Sequence, residues 1–450
     1  MTARAAGGAP RSGFLTSDRV LARAAQPIVR FLHVEAAGGV LLIVATLIAL
    51  TWANSPWSGS YASLWSTEIR LEFGSYAFEE DLGHFVNDFL MAIFFFVVGM
   101  EIKREMVVGD LRRPRAAALP VFGAVGGMVV PAVIYSVVNA GGSGSKGWGI
   151  PMATDIAFAL GVVALLGPRV PAPAKLFLLT LAIVDDIGAI VVIAVFYSDS
   201  ISIVWLLIAA GVTAMMAIAH RLDVVYAPVL GALGVGIWLA VYESGVHATI
   251  AGVVVGLLMP AKPRLAAHEA EQIVDALELR QELDVSEVRA TATSIKASLS
   301  DCDRAIDAFH PWSSFVAVPV FALANAGIEL QSGSLTSPSR VLVGVVAGLV
   351  VGKLVGVTLF AWLAVRTGLS QLPDEVAWVH VVGLAALAGV GFTVSLFVAG
   401  LALEGGSLDD AKVGVLLASL IASTLGALLL SRANRSNGGD LDRRQALAVD

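Results

Sequence analysis

The feature that most constrains this chain is a succession of long apolar runs. Twelve stretches recur along it, over residues 31–53, 82–101, 116–138, 148–166, 174–197, 201–219, 226–242, 246–259, 311–328, 341–365, 376–401 and 411–430. About twenty helical residues cross the roughly 30 Å of bilayer hydrocarbon. In that medium every backbone N–H and C=O must be paired inside the protein, so such runs fold as helices. Only 14% of the residues are charged and 57% are hydrophobic, whereas a soluble domain carries about 25% charged residues. The expected fold class is an all-α polytopic membrane protein with about twelve transmembrane helices. The eighth run is short and has room to begin within the preceding YESG turn.

An even number of spans returns the chain to its starting side, and Lys and Arg test that count. Segments on the N-terminal side hold 24 of them, the opposite loops hold four (Arg70, Lys146, Arg340 and Lys412), and Lys353 lies inside the tenth run. The asymmetry places both termini in the cytoplasm. Three regions are expected: an N-terminal cytoplasmic tail over 1–30, a transmembrane domain over 31–431 with a cytoplasmic loop at 260–310, and a C-terminal tail over 432–450. The loop carries ten acids and six bases, the pattern of a solvated linker helix, with a regulatory role as the alternative.

Several function classes drop out. Net charge is −7, so no basic surface points to nucleic acid as a partner. A single cysteine, Cys302, excludes an internal disulfide and a cysteine metal cluster. No G-x-x-x-x-G-K-[ST] stretch occurs, so no nucleotide-binding loop couples ATP to the work done. No catalytic nucleophile or cofactor is indicated, and an enzyme is not expected.

What remains is a short set of ionisable residues within apolar runs. An Asp, Lys or Arg at a helix centre costs about 2.5–3.5 kcal/mol on insertion scales, and such residues by default mark function. Here they are Asp155, Asp185, Asp186 and Lys353, with Asp88 and Glu101 in the second run. Asp155 sits in GWGIPMATDIAFALG, where Gly149, Pro151 and Gly161 predict a broken helix whose freed ends can help bind an ion. A kinked structural helix capped by Asp155 is the alternative. In LAIVDDIGAI, adjacent helical positions point about 100° apart, so the two aspartates do not both serve one point. One is expected to bind an ion and the other to pair with Lys353.

Asp88 and Glu101 stand thirteen positions apart in HFVNDFLMAIFFFVVGMEIKRE. Glu101, beside Lys103 and Arg104, reads either as a cation funnel or as an interfacial charge cluster. His247 in SGVHATIAGV is a pH-sensing candidate, or equally a hydrogen-bonded structural histidine. The eleventh run, VGLAALAGVGFTVSLFVAG, is interrupted by Gly383, Gly389 and Gly391 and carries Thr393 and Ser395. Paired interruptions in two halves of a chain point to a transporter's central site, while close packing through small residues explains them as well.

Seven stretches in chain order resemble the NhaA family of sodium/proton antiporters: HFVNDFLMAIFFFVVGMEIKRE, PMATDIAFALG, LTLAIVDDIGAIVVIA, SGVHATIAGVVVGLLMP, HPWSSFVAVPVFALANAGI, VVGKLVGV and GVGFTVSLFVAGLA. The resemblance implies inverted-topology repeats over spans 3–5 and 10–12, with spans 4 and 11 discontinuous and crossing. It implies a Na⁺ site at Asp186 with Asp185 beside it and Thr154 and Asp155 close by. It further implies that Asp155 and Lys353 balance helix-end dipoles at the crossing, and that Lys353 pairs with Asp185. It implies an inner-membrane homodimer in membrane lipid, joined through a hairpin for which residues 55–81 supply strand-like LWSTEIRLEF. No cofactor is implied; Na⁺, Li⁺ and H⁺ are substrates. There are departures. A Glu-His pair linked to pH response is replaced by Ile306 and Asp307, which leaves Asp307 and His310 as the titratable candidates. The 260–310 loop is longer than usual.

The expected activity is export of Na⁺ or Li⁺ against protons that compete for the same buried carboxylates, electrogenic and pH-regulated. A proton-coupled symporter of an organic solute is the alternative on the same fold, but an organic anion calls for more cation than Lys353. An intramembrane aspartyl protease needs YD and GxGD motifs, and neither occurs. A passive channel would dissipate Na⁺ without moving protons.

Overall fold

The computed structural model describes residues 37–447, apart from 74–75, 199–200, 223–225, most of 264–297, 330–337 and 374. The expected N-terminal tail and most of the 260–310 loop therefore lie outside the described residues. Helix α1 (Ala37–Ala53) turns through 116° into α2 (Ser58–Trp65). A hairpin of β1 (Glu68–Phe73) and β2 (Tyr76–Asp81) follows, and the other regular elements among the described residues are helical. The helices are α3 (Leu82–Val107), α4 (Pro114–Val138), α5 (Ile156–Leu166), α6 (Ala172–Phe196), α7 (Ile203–Arg221), α8 (Ala227–Glu243), α9 (Thr249–Leu258), α10 (Asp301–Asn325), α11 (Arg340–Arg366), α12 (Trp378–Leu387), α13 (Phe392–Ala402) and α14 (Gly405–Leu447). A 3₁₀ limb, Ser143–Met152, precedes α5.

Among the described residues seven helices are long and apolar enough to cross a membrane, or ten if each bent pair is one span. The bent pairs include the 3₁₀ limb with α5, at 43°, and α12 with α13, at 45°. The seventh and eighth apolar runs form α8 and α9, shorter helices of 17 and 10 residues. The chain is a polytopic helical membrane protein.

Helix α10 begins ten residues before the apolar run does, at Asp301. Ser300 caps it, its Oγ accepting from Asp303 N at 3.0 Å. Cys302, Ile306 and His310, four apart, are buried on one face, so this turn of the supposed loop is amphipathic helix. The hairpin pairs in the antiparallel register Glu68↔Asp81 to Phe73↔Tyr76. Arg70 Nε meets Glu79 Oε1 at 3.0 Å, and Tyr242 on α8 donates its hydroxyl to Glu80.

Two helix pairs touch backbone to backbone. A Cβ added at Gly252 on α9 would stand 2.1 Å from Ala92 O on α3, and one at Gly356 on α11 would stand 2.2 Å from Gly126 O on α4. Without a hydrophobic drive between helices in lipid, such close approach supplies the attraction. Backbone cannot step aside as a side chain can. Gly356→Leu is therefore expected to cost more than about 3 kcal/mol. It should show as lost monodisperse protein in detergent and a lowered melting temperature. Gly400→Leu, where an added Cβ meets nothing within 4 Å, should leave both unchanged.

Candidate functional site

Two of the three bent pairs, the 3₁₀ limb with α5 and α12 with α13, meet at their breaks. In the first, Pro151 and the glycines before it are poor helix formers, and Ala153, Thr154 and Asp155 are not helical. In the second, α12 stops at Leu387 and α13 begins at Phe392. Each break supplies what the other lacks. Asp155 N donates to Val390 O at 2.7 Å. Thr154 Oγ1 donates to Ala388 O at 2.8 Å, and Ser395 Oγ donates to Ile150 O at 2.7 Å.

Asp155 holds two helix starts at once. Its Oδ1 accepts from Phe158 N at 2.9 Å at the head of α5. Its Oδ2 accepts from Thr393 N at 3.0 Å and from Thr393 Oγ1 at 2.6 Å, at the head of α13. A carboxylate is favoured where helix N-termini converge, because the unpaired N–H groups carry partial positive charge. Lys353 serves the opposite polarity. Its Nζ donates to Thr154 Oγ1 at 3.0 Å, and that hydroxyl donates onward to Ala388 O at the tail of α12. The same Nζ lies 2.6 Å from Asp185 Oδ2, with both side chains wholly buried. Lys353 follows directly on a π-helical segment, Ala347–Gly352, a feature often found at functional sites.

The adjacent aspartates on α6 diverge, as helical spacing requires. Asp185 faces Lys353. Asp186 lines a cavity between α3, α5, α6 and α10 that also takes in Glu101, Thr154, His310, Ser313 and Ser314, with apolar walls from α3. Asp186 is 2% exposed, and its Oδ1 has no hydrogen-bond partner among the described residues. Asp185, Glu101, Asp155 and Lys353 all act on it electrostatically. The wall of the cavity thus offers carboxylate and hydroxyl oxygens. A small hard cation prefers such ligands.

Asp155, Thr154, Asp185, Asp186 and Lys353 are therefore brought together, with Glu101 and His310 on the same cavity. Three other sequence candidates lie elsewhere. Asp88 is in the π-turn Val86–Leu90 of α3, its carbonyl accepting from Trp238 Nε1 at 3.3 Å. His247 bonds through Nε2 to Tyr197 O, beyond the end of α6. Asp307 is exposed on α10. Thr393 stood in an interrupted stretch, but nothing in the sequence linked it to Asp155. Ser313 and Ser314 were not singled out; their signal is a pair of small polar residues entering an apolar run just after His310.

Comparison with known proteins accords with this geometry. The family model described as Na+/H+ antiporter 1 matches residues 29–430. Na(+)/H(+) antiporter NhaA 3 of Frankia alni is 47% identical over 414 residues, covering 91% of this chain and 89% of its own. Na(+)/H(+) antiporter NhaA 2 of Sorangium cellulosum is 46% identical over 446 residues, covering 94% and 93%. Na(+)/H(+) antiporter NhaA of Rhodopirellula baltica is 43% identical over 413 residues, covering 90% and 93%. With the match running through both broken helices and the buried Asp185–Lys353 pair, the chain belongs to the NhaA-type Na⁺/H⁺ antiporter family.

Proposed function

We propose that this protein exports Na⁺ or Li⁺ in exchange for protons, with Asp186 as the shared binding group. The observation that carries this is Asp186 itself: a buried carboxylate with an oxygen unpartnered among the described residues, on a cavity that Glu101, Thr154, Ser313 and Ser314 also line with oxygens. A proton or a Na⁺ neutralises that carboxylate equally well, and the two exclude each other there. The chain sits in the inner membrane in twelve spans, with both termini cytoplasmic and α8 and α9 as the short seventh and eighth. Spans 3–5 and 10–12 are the inverted repeats, and their broken members cross near the midplane.

Na⁺ enters along the cavity past Glu101 and displaces the proton on Asp186. The loaded site turns outward, releases Na⁺, takes up protons and returns. Asp186 alone trades one proton for one Na⁺ and moves no net charge. A further proton taken at the Asp185–Lys353 pair makes the exchange more than one proton per Na⁺, hence electrogenic. Asp155, saturated with donors at two helix heads, is a positioning group at the crossing. Thr154 is a ligand candidate tied to Lys353. Asp88 and His247 act away from the cavity, on the release side. His310 and Asp307 carry pH response in place of the missing Glu-His pair. The hairpin pairs two copies into a homodimer.

In inside-out vesicles holding a ΔpH, NaCl and LiCl should restore a quenched pH dye and KCl should not. Asp186→Asn keeps the shape and loses the charge; its Na⁺-driven proton flux should fall about a hundredfold or more. Robust flux in that variant, correctly inserted, sinks the assignment. Competition also sets a slope. Lowering the pH raises proton occupancy, so apparent KM for Na⁺ should rise as the pH falls, approaching about tenfold per pH unit once one competing proton occupies most sites, and more steeply for a second. A KM that stays constant as the pH is lowered from about 8.5 to about 5 would rule out a shared carboxylate.

Thr393→Val removes the hydroxyl donor to Asp155 and keeps the backbone one. A hydrogen bond to a charged group contributes about 1.5–3 kcal/mol. The variant should melt earlier in detergent by an equivalent amount, whereas Ser423→Val, whose hydroxyl bonds only within its own helix at Leu420 O, should not.

A further inference from the structure

The limb that leads into the first break is an unusual support for a binding site. Ser143–Met152 runs for ten residues as 3₁₀ helix, where runs beyond 3–4 residues are uncommon because the hydrogen-bond geometry is poor. It ends two residues before Thr154. Side chains from three other helices hold it. Tyr135 on α4 donates to Gly144 O at 2.8 Å, and Ser395 on α13 donates to Ile150 O at 2.7 Å. The third is Tyr197, at the C-cap of α6. Its hydroxyl donates to Lys146 O at 2.7 Å and accepts from Gly149 N at 3.1 Å.

Of these three, Tyr197 alone belongs to the helix that carries the aspartates. It follows Asp186 by eleven residues of continuous helix, about three turns. Its ring stacks on Trp148 of the limb with centroids 6.3 Å apart, and Trp148 meets Phe196 edge-on at 5.1 Å. The junction is thus packed as well as hydrogen-bonded. Tyr197 O also takes the His247 imidazole, which ties the same corner to the start of α9. Any slip of the limb along α6 carries Thr154 and Asp155 away from Asp185 and Asp186.

We propose that Tyr197 is a positioning residue for cation binding: its hydroxyl locks the 3₁₀ limb to α6 and so sets the spacing between Thr154 and the two aspartates. The inference rests on exchange at Asp186 and adds the group that holds the site's width. A tyrosine phenol ordinarily loses its proton only near pH ~10, and that of Tyr197 is engaged as a donor to Lys146 O. It therefore stays a neutral donor at every pH at which exchange is measured.

The test uses the full chain in inside-out vesicles, with the initial rate of dye recovery read against NaCl and LiCl concentration. Tyr197→Phe deletes the hydroxyl and keeps the stacked ring. Apparent KM for Na⁺ should rise about fivefold, the size of one neutral hydrogen bond, with maximal rate changed by less than about twofold. The Na⁺ to Li⁺ ratio of KM should shift, because a looser site discriminates radii less. The ratio of variant to wild-type KM should stay constant from about pH 7 to about pH 8.5, because the phenol does not titrate there. Gly149→Ala is the second probe: its Cβ would stand 2.8 Å from the Tyr197 hydroxyl and wedge it off, reproducing the KM rise. Wild-type KM and ion ratio in either inserted variant would overturn the inference. So would a fall in maximal rate at constant KM. Failure of both variants to insert would assign the junction to folding alone. Wild-type vesicles with no Na⁺ response would instead overturn the exchange reading, and this inference with it.

Discussion

Everything at the centre of this molecule follows from one buried ammonium. Lys353 has no exposed surface, and a charge held away from water must be met by fixed partners. Asp185 supplies the countercharge and Thr154 a hydroxyl. That requirement sets the rotation of α6 and α11 toward each other. It also commits one of the two adjacent aspartates, and the other is turned by about 100° onto the cavity. Removing one partner of such a pair typically costs about 3–5 kcal/mol, because the remaining charge is stranded.

The broken helices obey the same rule for partial charges. A break in lipid would strand backbone groups, so discontinuous segments persist only where protein satisfies them. Here the two breaks satisfy each other. Asp155 answers two helix heads, and the Lys353–Thr154–Ala388 chain answers a helix tail. The acid and the base inside the bundle are thus part of the backbone's own hydrogen-bond economy. Asp185 and Asp186 each keep one oxygen without a hydrogen-bond partner among the described residues, but only Asp186 of the two lines the cavity.

Packing and polarity divide the labour. The α3–α9 and α4–α11 pairs meet through glycines at backbone contact, which favours rigid units. The elements beside the site are of another kind: a long 3₁₀ limb, and π-helical segments at Ser313–Ala317 and Ala347–Gly352. Their hydrogen bonds are poorer than those of an α-helix, so less is lost when they rearrange. Rigid pairs with pliable segments between them suit a site that must face two sides in turn.

Much of this was legible in the residues alone. Length and apolarity of the runs dictate helices in a membrane, because lipid offers backbone groups no other partner. Gly149, Pro151, Gly389 and Gly391 announce the two breaks, and strand-like alternation announces the hairpin. The isolated charges Asp155, Asp185, Asp186 and Lys353 stand out because burying them is costly. Tertiary structure decided the rest. Helical spacing says that Asp185 and Asp186 diverge, but only the placing of α3, α10 and α11 around α6 determines which meets Lys353 and which meets the cavity. Thr393 joins Asp155 across 238 residues, and Tyr197 grips a limb 51 residues earlier. Such contacts carry no local signature, since a hydroxyl in an apolar run reads alike whether it faces a carboxylate, a carbonyl or its own helix. The early start of α10 was hidden for a related reason: its buried face shows only once α3 is there to cover Cys302 and Ile306.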